Sequence, residues 1–304
     1  MEPLVSICCI TYNHAPYIKQ CIEGFLIQET TFPIEILIHD DCSTDGTTEI
    51  IRDYEKLYPN LIFPLYEEEN QYQKGKASEI DFYNYKRARG KYIAYCEGDD
   101  FWTDPLKLQK QVDFMEANPD YSVCFHEITI YNAMNKSLVL SPNYSIEGDF
   151  DITVDHFLNG REIVGQPLSM VFRLSVYDYE WQKHYTDYYD TMEIFHLLRV
   201  GKGRFMRFVG GQYNLQEGGV SATKQGIIRS FDSCYVFEQM WNYTQEDCVL
   251  KSWLDNYIWR LDICNEKGNN KEYWRTVIHA LSHKFSLGLQ VLWVAIKRKI
   301  KYRR

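Results

Sequence analysis

The sequence predicts an α/β fold, a mostly parallel sheet flanked by helices, with a helical C-terminal extension. Three observations carry this expectation. Short apolar runs rich in β-branched residues alternate with stretches of helical periodicity from Val5 to Asn118. Two of the runs end in paired carboxylates, Asp40-Asp41 and Asp99-Asp100. From about Ile227 onward the pattern is helical and rich in aromatics, with no strand signal. A length of 304 residues accommodates one large domain plus an extension, and we divide it as 1–225 and 226–304.

The elements follow in order. Residues 5–11 are a β-branched and cysteine-containing run that suits a buried strand. Residues 17–26 place Ile18, Cys21, Ile22, Phe25 and Leu26 on one helical face. Residues 34–38 form a second strand running into His39-Asp40-Asp41. Residues 47–58 form a helix, with Ile50, Ile51, Tyr54 and Leu57 spaced for one face. Residues 61–66 and 92–96 are further strands, the latter running into Glu97-Gly98-Asp99-Asp100. A helix follows Pro105 as far as Asn118, strands are expected over 121–131 and 164–173, and a helix over 190–201. Alternating strands and helices imply right-handed crossovers, and ligands of such sheets bind beyond the carboxyl ends of the strands. Both acidic pairs stand at such ends.

Composition narrows the class. Hydrophobic residues make up 45% and aromatics 15%, enough for a packed core. The net charge of −9 argues against nucleic acid as a bulk partner. The balance is uneven, because Lys297, Arg298, Lys299, Lys301, Arg303 and Arg304 crowd the C-terminus. Nine cysteines, an odd number without CxxC spacing, point to a reducing compartment and no disulfide framework. The N-terminus lacks a basic segment before its apolar run, and no apolar run reaches about 18 residues. A cytoplasmic protein without signal peptide or membrane span is therefore expected.

Two segments carry chemistry. DDCSTDGT, from Asp40 to Thr47, reads in part as a strand-to-helix turn in which Ser43, Asp45 or Thr47 caps the next helix. That reading leaves two adjacent carboxylates unexplained, since they repel one another unless a cation or donor meets them. EGDDFW, from Glu97 to Trp102, places hard oxygen ligands suited to Mg²⁺ or Mn²⁺ at a strand end. The bland alternative is a solvated acidic turn. Glycine signatures of dinucleotide, P-loop and serine hydrolase sites do not occur. His39 and His126 sit in strand-like runs without metal spacing and are expected to be structural.

The segments VSICCITYNHAPYIKQCIEGFLIQ, EILIHDDCSTDGTTEII and GKYIAYCEGDDFWTDPLKLQKQVDFME together resemble the family 2 glycosyltransferases, over roughly residues 3–225. The resemblance implies a GT-A, Rossmann-like fold and an inverting, metal-dependent transfer of a sugar from a nucleotide diphosphate donor, a UDP-sugar for preference, to an acceptor hydroxyl. By that resemblance Thr11, Tyr12 and Asn13 hold the nucleoside, with Tyr12 stacking on the base, and Asp41 bonds the base ring. Asp99 faces the ribose or the metal, and Asp100 ligates the Mn²⁺ or Mg²⁺. Relatives often carry aspartate where this chain has Glu97. Asp190, opening YYDTMEIFHLLRVGKGRF, matches the general base, with Asp187 its competitor and a helix-terminal acid the plainer reading. Residues 213–221 resemble a closing loop that often reads Tyr-Arg-x-His, where Asn214 and Gln216 stand instead.

The tail offers two readings. Residues 285–296 are apolar and precede the basic run, which fits either an interfacial helix drawn to anionic lipid or a helix docked on the domain. The first implies a lipid-linked glycan as acceptor and a place at the inner face of the cell membrane, in cell-surface polysaccharide synthesis. Two rivals stand beside the transferase. A sugar-1-phosphate nucleotidyltransferase shares the core, but TYNHAPY stands where its glycine- and arginine-rich loop belongs. A catalytically inactive relative that binds nucleotide sugar or glycan would account for the missing Arg and His.

Overall fold

The computed structural model describes residues 2–75, 80–141, 147–159, 166–185, 189–216 and 227–301. Asp187, residues 217–221 of the expected closing loop, the boundary near 225, and Arg303 and Arg304 lie outside them. The chain divides into two compact units, one of residues 1–183 and 187–216, the other of 184–186 and 217–304.

The first unit is built on one sheet. Its strands are β1 (Val5–Thr11), β2 (Ile34–Asp40), β3 (Ile62–Tyr66), β4 (Tyr92–Glu97), β5 (Phe101–Trp102), β6 (Tyr121–Asn132), β7 (Ser137–Ser141), β8 (Phe150–Ile152), β9 (Val171–Arg173) and β10 (Lys202–Leu215). The helices are α1 (Ile18–Leu26), α2 (Thr47–Leu57), α3 (Ile80–Arg87), α4 (Lys107–Ala117), α5 (Val154–Asn159) and α6 (Asp190–Val200). The order across the sheet is β3-β2-β1-β4-β9-β6-β10-β5, with β7 beside β6 and β8 beside β10. β1 pairs in parallel with β2 and β4, and β2 with β3. β9 runs antiparallel between β4 and β6, and β10 runs parallel to β6.

Both faces of the sheet are buried, which is why its strands read as apolar runs rather than alternating ones. Side chains alternate between two cores by the two-residue period of a strand. Val5, Ile7 and Cys9 of β1 join Ile36, Ile38, Ala94 and Cys96 on one side, with Ile22, Phe25 and Ile51 of the helices. Cys8, Leu37, Ile93 and Tyr95 face the other side, with Phe82, Tyr85, Leu197 and Leu198. The direction of strand order reverses at β1 and β4, so a crevice opens beyond their carboxyl ends.

The second unit contains α7 (Ile227–Thr244), α8 (Asp247–Glu266), α9 (Asn270–His283) and α10 (Phe285–Lys301). Trp253, Tyr257, Leu261, Tyr273, Val277, Leu287, Val291 and Ala295 form its core.

Three expectations change. The strand expected over 164–173 is confined to β9, because Pro167 has no N–H for a ladder and opens a 3₁₀ turn, Pro167–Ser169. Residues 213–215, expected in a closing loop, are the end of β10. β10 itself was hidden, since Gly203, Gly210 and Gly211 and three register shifts against β6 break its alternation.

Candidate active site

The register of the parallel strands sets the site. Thr11 stands opposite Asp40, and Ile10 opposite Glu97, so the acids follow adjacent strand ends. The chain after β1 turns through Asn13 in the left-handed region, φ 54°, which asparagine tolerates well. Its backbone N–H donates to Ser43 Oγ at 2.9 Å, and its Oδ1 accepts from Thr44 N at 2.8 Å. Asp45 accepts from Ala15 N at 3.0 Å, and from Thr47 N at 3.1 Å at the start of α2. Asp45 thus serves the helix start and ties the two loops together. Tyr12 is 37% exposed at the edge of the crevice.

Asp41 is 3% exposed, and both its oxygens are engaged. Oδ1 accepts from Gln71 N at 2.6 Å and Oδ2 from Tyr72 N at 3.1 Å, while its own N–H donates to Thr11 O at 3.0 Å. The carboxylate therefore holds residues 70–72 against the strand end. Each oxygen keeps a second lone pair for a base N–H. Asp40 is spent locally on Ser43 N and the Thr48 hydroxyl.

Glu97, Asp99 and Asp100 converge, one carboxylate oxygen of each lying within 4.8 Å of the others. Asp100 is 2% exposed, and Oδ1 accepts from Asn214 N at 2.8 Å. Burial, then the charges of Asp99 and Glu97, push its carboxyl well above the usual carboxylate range. Asp99 Oδ2 accepts from Gln216 Nε2 at 2.8 Å, and its backbone carbonyl from Asn214 Nδ2 at 2.6 Å. Its Oδ1 is buried with no hydrogen-bond partner among the described residues. Like charges this close, with one oxygen orphaned, are a set of hard ligands that a divalent cation would complete. The donor set thus fits Mg²⁺ or Mn²⁺.

Sequence reasoning set Asn214 and Gln216 in a closing loop without giving them a contact with the acids, and it missed His14. Asn214 and Gln216 reach the acids because β5 pairs with Gly211 and Gln212 of β10, which lays the end of β10 beside Asp99 and Asp100. Only the long-range pairing reveals this. His14 has Nδ1 3.2 Å from Thr11 Oγ1 and Nε2 3.9 Å from Asp99 Oδ2. Burial lowers its pKa against the pull of Asp99. Gly98 permits this packing, since a Cβ there would lie 2.5 Å from Thr11 Oγ1.

Asp190 opens α6, is exposed, and accepts from Thr191 N at 2.8 Å. It stands outside the three-carboxylate cluster. His39 is structural, its Nε2 3.2 Å from Glu67 Oε1. His126 is buried, and Nδ1 donates to Glu127 O at 2.8 Å. Its Nε2 has no hydrogen-bond partner among the described residues, so it is only half satisfied.

Comparison with known proteins identifies the family and the fold. The family model described as glycosyl transferase family 2 matches residues 6–180, more than half of the chain. An uncharacterised protein of Mycobacterium tuberculosis is 39% identical over 170 residues, covering 56% of this chain and 46% of its own. The putative teichuronic acid biosynthesis glycosyltransferase TuaG of Bacillus subtilis is 39% identical over 136 residues, 44% of this chain and 48% of its own. The chain thus spans about half the length of the curated relatives it matches. Among solved structures, residues 1–349 of Staphylococcus aureus TarS in complex with UDP-GlcNAc superpose with a TM-score of 0.62 at 14% identity, over 98% of this chain and 89% of that one. That likeness carries the GT-A fold. The matched segment contains the whole β1–β4 crevice with its acids, and the chain belongs to glycosyl transferase family 2.

Proposed function

We propose that this protein is an inverting, metal-dependent glycosyltransferase that moves a sugar from a nucleotide diphosphate, a UDP-sugar for preference, to a hydroxyl of a glycan or lipid-linked precursor. The observation that carries the reading is the convergence of Glu97, Asp99 and Asp100 at the sheet's switch point, with Asp99 Oδ1 buried and without a hydrogen-bond partner among the described residues. TarS bound to UDP-GlcNAc supports the donor class, and TuaG supports a role in cell-surface polysaccharide synthesis.

In this reading Tyr12, exposed at the crevice edge, stacks on the base, and Thr11 and Asn13 shape the loop that holds the nucleoside. Asp41 accepts a base N–H with the lone pairs left over from Gln71 and Tyr72. Asp100 and Asp99, with Glu97 beside them, would hold Mn²⁺ or Mg²⁺, whose charge offsets that developing on the leaving diphosphate. Gln216 and Asn214 keep both aspartates aimed at the crevice, in place of the usual Arg and His. Asp190 accepts the proton of the acceptor hydroxyl as that oxygen attacks the anomeric carbon and the bond to the diphosphate breaks. A single displacement with one base inverts the anomeric centre.

Residues 1–225 supply this chemistry, and 226–304 form a helical extension. Nine free thiols support a reducing, cytoplasmic setting. No described helix is long and apolar enough to cross a membrane. On α10, however, Phe285, Leu289, Trp293 and Ile296 are exposed along one stripe beside the basic tail, which supports contact with the inner membrane face.

The test is calorimetry of UDP and a panel of UDP-sugars, with and without Mn²⁺, on the wild type and Asp100→Ala. Metal-dependent binding lost in the variant is expected. Binding of no nucleotide diphosphate by the folded, metal-supplied protein would overturn the reading. Donor binding without turnover on any acceptor would favour an inactive relative.

A further inference from the structure

A second group of metal-ligating side chains lies in the helical unit. His279 and His283 stand four residues apart on α9, one turn above the other on the same face. Their rings stack with centroids 3.9 Å apart. Glu238 reaches them from α7, with Oε1 3.4 Å from His283 Nε2. One ligand atom from each of the three lies within 4.8 Å of the other two.

The outer contacts of both rings are those a metal site uses. His283 Nδ1 lies 2.9 Å from the backbone oxygen of His279, an acceptor only, so Nδ1 donates there and Nε2 is the nitrogen that faces Glu238. His279 Nδ1 lies 2.7 Å from the Tyr257 hydroxyl of α8, which can accept in the same way. Such hydrogen bonds fix the tautomer and orientation of metal-binding histidines. A Glu238–His283 ion pair by itself would need neither the second ring nor the hydroxyl behind it.

We propose that Glu238, His279 and His283 bind a transition-metal dication of the zinc type, linking α7 to α9. Two imidazoles and a carboxylate select zinc, cobalt or nickel over magnesium, the reverse of the all-oxygen cluster at Asp100. Three protein ligands leave one position for water.

Cobalt is the probe. The full-length Asp100→Asn variant, which removes the competing oxygen site, is stripped of metal and titrated with Co²⁺. An intense visible absorption of low-coordinate, nitrogen-ligated cobalt is expected, displaced by Zn²⁺. His279→Ala and His283→Ala, introduced singly into the same background, lose it. Tyr257→Phe keeps the band and weakens binding about tenfold. Zinc raises the thermal midpoint of the parent and not of the two histidine variants, whose fold is checked by circular dichroism. Absence of the band in the parent, or its survival in a His279→Ala/His283→Ala double variant, overturns the proposal.

Discussion

At the scale of single residues, the site stores electrostatic cost. Asp100 is buried between Asp99 and Glu97, and its carboxyl is held well above the usual range by desolvation first and those charges second. A carboxyl raised in the folded state gives stability that is present at low pH and lost as pH climbs through its folded pKa. Asp100→Asn keeps the oxygen that Asn214 bonds and removes the charge. We expect it to raise the metal-free protein's thermal midpoint at neutral pH by about 2–4 °C per kcal/mol recovered. Mn²⁺ should then stabilise the wild type and leave this variant unchanged. A variant less stable than the metal-free wild type, measured by differential scanning calorimetry, would contradict this account. Gly98 makes a second case. A methyl group there meets Thr11 Oγ1 and the Thr11 Cβ, at 2.5 and 2.7 Å. Gly98→Ala should cost about 1–3 kcal/mol in urea unfolding and weaken donor binding in calorimetry.

At the scale of an element, α4 begins with a misfit. Lys107, its first residue, is fully buried, and Nζ lies 3.9 Å from the centroid of the Trp102 ring without a hydrogen-bond partner among the described residues. A cation at a helix N-terminus also opposes the macrodipole. Burial pulls the Lys107 pKa down to about 7, so the unfolded chain binds more protons than the folded one from about 7 up to the ordinary lysine value. Lys107 therefore makes stability rise with pH across that window. Lys107→Met keeps the length and removes the charge. It should stabilise the protein by about 1–4 kcal/mol at neutral pH and flatten the rise, as read from denaturant unfolding at pH 7 and pH 10. An unchanged slope would show that Lys107 does not titrate in this range. The position matters for the site, because Trp102 stands two residues after Asp100, bonds Leu168 O through Nε1 at 2.9 Å, and packs edge-on against Phe25 at 4.9 Å.

At the scale of the whole molecule, the proposed membrane contact rests on the exposed face of α10. α10 buries Leu287, Val291 and Ala295 in the helical core and exposes Phe285 at 68% and Trp293 at 60% on the other side. Part of the basic tail is used internally, since Arg298 pairs with Asp262 and Lys299 Nζ donates to Asn265 Oδ1 at 2.7 Å. Lys297 Nζ sits 3.5 Å over the Trp293 ring, an arrangement suited to an interface. In sedimentation with anionic phospholipid vesicles, the wild type should bind and release as salt rises. Phe285→Ser/Trp293→Ser should stay in solution while still binding UDP. Equal partition of both proteins would remove the membrane from the proposal.

The sequence alone determined the alternation of buried strands and helices, because a strand buried on both faces must be a short apolar run and a packed helix must keep one apolar face. It also determined which strands end in carboxylates, since Asp40-Asp41 and Glu97-Gly98-Asp99-Asp100 are contiguous with their strands and no tertiary contact is needed to place them there. The tertiary structure decided the rest. β10 escaped the periodicity because its glycines and register shifts interrupt the alternation, yet it delivers Asn214 and Gln216 to the aspartates. Glu238 comes from α7 and the His279–His283 pair from α9, and only packing brings their ligand atoms together. Local pattern is fixed by neighbours a few residues apart, whereas a site is closed by side chains more than a hundred residues apart, such as Asp99 and Gln216, whose meeting depends on register and packing.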